Sequence, residues 1–372
     1  MKEIYRILWI ISILIFIIGC IEYNDDIYFN GNIHDINSKI KKVKSVSLNP
    51  VPLEGPNYGR IAVHDSLMFF MNPKLPNHFF NVFNLDTGKE IGLFCNKGQG
   101  PNEVAAVSYI YQFFEEKNEL KTLLFAANEN VIIKWNISQS IKQKTTVIDS
   151  IIPYSNNRGV MGARYNYIFY QDIDTLFTYI QSLPINDEEA SLPFYQKRTL
   201  YTDKTLKDYP IYRNSIKNGL AYIIPEAFFN SNDTFKPDGT KIVQAMTHLY
   251  QLNIIDTKTG EINGFRMHGS PDFSIFQKKK KVINTNYVRI QADDQYIYAT
   301  YWGKEPWSNE LPFINTIHVF DWNGCLLYEL ISDHPIHEIW LDNVRNRLYT
   351  TNMDTDEVFY INLEKVIDST FE

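Results

Sequence analysis

The sequence predicts an all-β chain folded as a six-bladed β-propeller closed by an N-terminal strand. Three observations carry that prediction. The 372 residues include 24 Tyr, 24 Phe and 6 Trp, an aromatic excess that favours strands over helices. One strand–turn–strand pattern recurs six times. The last copy is one strand short, while an unpaired strand-like segment stands ahead of the first.

The recurring unit is an alternating apolar strand, an Asp or Asn, a short polar turn and a second strand. It reads FFNVFNLDTGKEIGLF at 79–94 and NVIIKWNISQSIKQKTTVI at 130–148. Weaker or stronger copies follow at 195–211, 249–265, 314–330 and 356–367. The turn-opening residues are Asp86, Asn136, Asp203, Asp256, Asp321 and Asn362. Their mean spacing is roughly 55 residues, that of propeller blades with loop insertions. Each copy has strands upstream, as in GRIAVH (59–64) and SLMFFMN (66–72), so each unit reads as four short strands joined as hairpins. A pair of β-sandwiches would also give short strands, but not six copies of one turn signature. No long amphipathic helix is apparent; short patches such as IPEAFFN (224–230) are the best helical segments.

The sixth unit (HEIWLD, RLYTTNMD, EVFYINL) supplies three strands. A ring left in that state has an open edge. VKSVSLNP (43–50) is the segment expected to complete it as the outer strand of the last blade. The inner strands are expected to begin near Arg60, Val107, Arg164, Tyr222, Val288 and His337.

Ahead of the propeller lies an address. Lys2 and Arg6 precede an apolar run from Leu8 to Ile18, too short for a comfortable membrane span of about 20 apolar residues and suited to a secretory signal. Ile17-Ile18-Gly19-Cys20 resembles a bacterial lipobox, in which the cysteine becomes an acylated N-terminus; a plain signal anchor with a chance cysteine is the other reading. The organisation expected is therefore a signal peptide at 1–19, lipidated Cys20 with a tether at 20–42, and the propeller at 43–372. Glu22, Asp25 and Asp26 resemble a surface-export signal of Bacteroidetes-type lipoproteins, or are simply a solvated tether. Asn24–Lys39 reads as a polar linker. An outer-membrane location, periplasmic or surface-exposed, follows, and the membrane is the first partner through the anchor. The net charge of -7 argues against a nucleic-acid partner, which would demand a basic face. Cys95 and Cys325 sit in apolar strand-like stretches and read as free thiols, although spacing alone does not exclude a disulfide.

FCNKGQGPNEV (94–104), directly after VFNLDTGKEIG, carries a resemblance. The strand followed by a Gly-Gln-Gly-Pro-x-Glu loop is similar to the six-bladed TolB-like, distantly NHL-like, propeller lipoproteins of Bacteroidetes. Asn102 stands where that family has a second glycine. The resemblance implies a secreted, lipid-anchored propeller, in a family of largely unknown function. It implies no defined enzyme.

Propeller ligands gather at one mouth of the central channel. The candidates there are Arg60, Gln99, Asn102, Glu103, Arg164, Trp307 and His337. The glycines around Gln99 permit a tight loop with exposed amides, equally suited to a structural inter-blade corner. Trp307, between Pro306 and Ser308 in a long insertion with Tyr301 and Trp302, suits an exposed contact to a sugar ring or protein. A second insertion (182–196) carries Asp187, Glu188 and Glu189. His334 and His337 make an imaginable metal pair lacking a third ligand, and Asp354 with Asp356 half a calcium loop that reads better as a solvated turn, so no metal is expected. Lys278–Lys281 reads as a solvated loop, or a contact for anionic heads. The sequence has no G-x-S-x-G, H-E-x-x-H, Walker loop or C-x-x-C, and no cofactor is expected. The leading expectation is a non-catalytic lipoprotein that binds a protein, peptide or glycan. The alternative is a hydrolase or lyase at the channel mouth, which requires Glu103, Arg164 and His337 to converge. A purely structural envelope protein is the third reading.

Overall fold

A computed structural model describes residues 27–367, apart from 56, 73, 101–102, 127, 155–162, 183–191, 214–228, 278–282 and 306–312. Three strands open it: β1 (Asn32–Asp35), β2 (Lys42–Val46) and β3 (Asn49–Pro50). Six antiparallel sheets follow in chain order. Blade one is β4 (Arg60–His64), β5 (Leu67–Met71), β6 (His78–Asn84) and β7 (Glu90–Asn96). Blade two is β8 (Phe114–Glu116), β9 (Glu119–Ala126), β10 (Val131–Asn136) and β11 (Ile148–Pro153). Blade three is β12 (Ala163–Asp172), β13 (Thr175–Ser182), β14 (Phe194–Thr199) and β15 (Thr205–Pro210). Blade four is β16 (Ser231–Phe235), β17 (Lys241–Met246), β18 (Gln251–Asp256) and β19 (Ile262–Arg266). Blade five is β20 (Thr285–Ala292), β21 (Tyr296–Lys304), β22 (Thr316–Asp321) and β23 (Leu326–Ser332), and blade six is β24 (Glu338–Asp342), β25 (Arg347–Asn352) and β26 (Glu357–Asn362). The six-bladed propeller read from the sequence is the fold.

The repeated turn signature marks the crossing from third to fourth strand. Asp256 Oδ1 accepts from the amides of Lys258 and Thr259, and Asp321 Oδ1 from those of Asn323 and Cys325. These are side-chain mimics of a backbone turn. In blade one the acceptor is Asn84, which takes the amides of Asp86 and Thr87; the expected Asp86 lies two residues further on. At Asn136 the turn has grown into a short helix, α1 (Ile137–Gln143), whose N-cap Asn136 accepts from Gln139 N and whose left-handed Lys144 ends it. Reading 137–143 as turn and strand missed that helix, because its Ser and Gln residues give little apolar periodicity.

Closure differs in one respect from expectation. The segment 43–50 does not form a single outer strand of blade six. Only Asn49–Pro50 pairs with Tyr360 and Phe359, extended by Val51 N donating to Val358 O. Lys42–Val46 instead runs parallel to β23 and becomes a fifth strand of blade five. The expected linker at Asn24–Lys39 also holds structure: Asn32–Asp35 adds in parallel to β19 as a fifth strand of blade four. Tyr28 and Phe29 are fully buried, with Phe29 bridged to Tyr212 and Tyr28 ring-packed on Phe273. The N-terminal stretch thus wraps three successive blades, because each offers an unpaired outer edge that a neighbouring strand satisfies.

The first and last blades are also stitched to each other directly. Trp340 Nε1 donates to Val63 O at 2.7 Å, and Arg345 reaches Asp65 and Asp86. The core is aromatic and lies between blades: Trp135 packs on Phe69, Phe80 and Phe94, and Phe169 on Tyr195 and Phe235. This is where the aromatic excess of the sequence is spent, since flat faces meeting flat faces demand wide side chains.

Candidate functional site at the channel mouth

The inner strands β4, β16, β20 and β24 together line one cavity of the channel. Gly59 has φ +118, and a Cβ there would come within 2.1 Å of Met71 O, so only glycine lets the chain turn into β4 at this point. Arg60 follows immediately. Glu338 opens β24, Asn232 and Asp233 sit near the start of β16, and Arg289 lies on β20. They surround a cavity of about 70 Å³ walled by Tyr109, Tyr111, Tyr167 and Trp340.

Glu338 is the hub. Its side chain is buried, and Arg289 grips it with both ends of the guanidinium, Nε to Oε2 at 2.7 Å and Nη2 to Oε1 at 2.5 Å. Arg289 Nη1 donates to Val288 O. Such a fork-on-carboxylate pair is rigid and short. Arg60 approaches the same carboxylate only through Nε, at 3.4 Å, and lays its guanidinium on the Tyr109 ring at 3.6 Å. Its side chain remains 35% exposed.

Asp233 is held from behind. Its Oδ2 accepts from Tyr195 Oη at 2.6 Å and Gln244 Nε2 at 2.8 Å, while its buried Oδ1 has no hydrogen-bond partner. Burial raises the carboxyl to about 6; the Ser231, Tyr195 and Gln244 side chains oppose the rise. Burial also pushes the Tyr111 and Tyr167 phenols up, with Asp233 adding to the push and Arg60 opposing it, so both charges act on both rings.

The expected site residues divide. Arg60 lies in the cavity. His337 lies one residue from the hub, but faces an adjoining recess of about 340 Å³ lined by Thr285, Val288, Trp302, Phe313 and Met353, where its Nδ1 accepts from Met353 N. His334 turns instead to Asp333 and the Phe359 ring, so the two histidines do not face a shared point. Asp354 and Asp356 occupy the β25–β26 turn. Glu103 folds back into its own loop, its Oε2 accepting from Gly100 N at 2.9 Å, and Gly98 lies too close to that carboxylate to carry a Cβ. With Gly98 N donating to Val104 O, the loop is built as an inter-blade corner. Gln99 is exposed on it. Asn102, Tyr222, Asp187–Glu189, Lys278–Lys281 and Trp307 lie outside the described residues, as does the side chain of Arg164. Val107 belongs to an extended stretch rather than the inner strand of blade two, which begins at Phe114; the stretch nevertheless delivers Tyr109 and Tyr111 to the channel. Cys95 and Cys325 are free thiols, the first buried. Among the described residues no three His, Cys, Asp or Glu side chains gather as for a metal ion.

Sequence reasoning missed Arg289, Asp233 and Glu338. For Arg289, between Val288 and Ile290, and Glu338, ahead of Ile339-Trp340-Leu341, a charge beside apolar strand residues was the available signal; Asp233, in the polar string SNDTF, carried none.

A radial all-β ring of six sheets around a charged, aromatic-walled channel defines the class: a six-bladed β-propeller. The family model for TolB-like 6-blade propeller-like proteins matches residues 35–344, and the chain belongs to that family. A solved DUF4221-family protein from Bacteroides vulgatus shares the fold at a TM-score of 0.53, with 13% identity, over 88% of this chain and 94% of that one. A candidate exported protein from Bacteroides fragilis is similar at a TM-score of 0.49 and 12% identity, over 86% of this chain and 99% of the other. No curated protein matches the sequence.

Proposed function

We propose that this chain is an exported, lipid-anchored binding protein of the cell envelope, which holds a protein, peptide or glycan partner at the channel mouth and carries out no chemistry there. The observation that supports it is the built polar site on the inner strands: the Glu338–Arg289 fork, the half-free Arg60 and the one-sided Asp233. Buried charge of that kind costs stability, and charged groups with a perturbed carboxyl gathered in one cavity are what a binding site is built from. The lipobox at Ile17–Cys20 supports the anchor.

The hydrolase or lyase reading needed Glu103, Arg164 and His337 together. Glu103 is tied into its loop and His337 into the neighbouring recess, so the described members of that trio do not line one cavity.

Two measurements test the proposal. Acyl labelling in cells should be lost in Cys20→Ser; persistent labelling refutes the anchor. Purified protein screened on peptide and glycan arrays should give hits that Arg60→Ala removes. Hits indifferent to Arg60→Ala, or turnover of a bound hit, would overturn the binding reading.

A further inference from the structure

The channel site holds two opposite charges that do not meet. Among the described residues Arg60 pairs with Glu338 alone, with Nε at 3.4 Å, which leaves guanidinium N–H donors without a hydrogen bond on a side chain that lines the cavity. Glu338 is gripped at both oxygens by Arg289, and Arg60 stands off the shared Oε1 at 3.4 Å. Asp233 lines the same cavity, is 6% exposed, and keeps its buried Oδ1 without a hydrogen-bond partner. Arg289 and Glu338 cancel one another. Among the described residues, what remains is one guanidinium with free donors and one carboxylate oxygen without a partner, on a small cavity with aromatic and aliphatic walls.

A ligand that matches must bring an anion to Arg60 and a cationic donor to Asp233. An isolated carboxylate satisfies the first and leaves Asp233 stranded. An isolated amine does the reverse. A sugar acid presents hydroxyls to Asp233 but leaves its charge uncompensated in a desolvated place, which is costly. A planar guanidinium receives a carboxylate on parallel N–H bonds, and a carboxylate oxygen receives an ammonium proton. We infer that the channel mouth takes a small zwitterion of the α-amino-acid type, with its carboxylate on Arg60, its ammonium on Asp233 and an apolar side chain against the Phe69, Met71 and Phe80 side of the cavity. This deepens the binding reading above and rests on it.

Calorimetry on the full-length protein in detergent tests it, with the twenty free amino acids as probes and three analogues of the best one. The N-acetyl analogue keeps only the anion, the amide analogue only the cation, and galacturonate offers an anion with hydroxyls. The free zwitterion should bind, and each blocked analogue at least tenfold more weakly. Arg60→Met and Asp233→Asn should each lose binding by a similar factor, while melting with one cooperative transition; Gln99→Ala, in the exposed corner loop, should bind as the native chain does. Equal binding of the N-acetyl analogue, tighter binding of galacturonate, or no binding by any amino acid overturns the inference. Should arrays still show an Arg60-dependent peptide or glycan in that case, the binding site stands and only its ligand class falls.

Discussion

Replacing Asp233 by Asn should stabilise the fold at neutral pH. The carboxyl titrates near 6 in the folded chain against 3.8 for the ordinary group, because burial penalises its charge. A carboxyl raised in this way leaves stability fully present below about pH 3.8, loses it as pH rises to about 6, and loses no more beyond. The whole loss is about 3 kcal/mol at ~1.36 kcal/mol per pH unit. Asn keeps the acceptor for Tyr195 and Gln244 and turns its NH₂ toward the position of the partnerless Oδ1, and it carries no charge to desolvate. Denaturant unfolding of both chains at pH 4, 5, 6, 7 and 8 should give nearly equal midpoints at pH 4 and a growing advantage for Asp233→Asn, approaching 3 kcal/mol at pH 8. A constant difference across the series, or a variant less stable at pH 8, would refute the burial argument.

Burial holds His318 neutral down to about pH 3, stacked on Tyr250 and Tyr301 with Tyr287 edge-on. Its folded pKa lies below the ordinary 6.5, so stability should fall by up to ~1.4 kcal/mol per pH unit below about 6.5, and His318→Gln should flatten that acid slope in unfolding titrations. In blade two, Glu116 accepts from Lys134 at 2.7 Å and Lys121 at 3.1 Å, both lysines being almost fully buried. Glu116→Gln should cost about 3 kcal/mol or more in denaturant unfolding by leaving buried ammonium charge under-compensated. Phe29→Ala, at a side chain with no exposure, should cost about 3–5 kcal/mol and expose β19 to limited proteolysis. Gly59→Ala should cost about 1–3 kcal/mol from its backbone alone and weaken any Arg60-dependent binding, read by calorimetry.

The blade count was legible because the third-to-fourth strand turn needs a side chain that can imitate the backbone, and Asp or Asn repeats there in almost every blade. Asp86 misled by two residues since Asn84, equally able to accept, precedes it. Closure was legible in kind but not in extent. A strand-like string beside the propeller announces that it will pair, yet which outer edge it meets depends on where the chain enters the ring, and residues 32–35 carry too few apolar positions to read as a strand. The channel site was legible only at Arg60. Asp233, Arg289 and Glu338 gain their roles from strands some 50 residues apart meeting around an axis, a distance that no local pattern encodes. Glu103 failed for the opposite reason: its loop is local, and its carboxylate is consumed within it.

The wrap of the first strands has a consequence for the order of assembly. β1, β2 and β3 pair with β19, β23 and β26, so residues emerging earliest wait for partners made 230 to 310 positions later. Such long sequence separation slows folding, since loop closure must precede the contacts that reward it. Blades one to three hold all their own strands and can form as they appear; blades four to six have no finished rim until the amino-terminal ribbon returns to them. The ring therefore seals last at its beginning: a chain interrupted before Ile262 would present the whole ribbon unlatched, and one interrupted before Glu357 would still leave β3 free, to whatever guards the cell against half-made proteins.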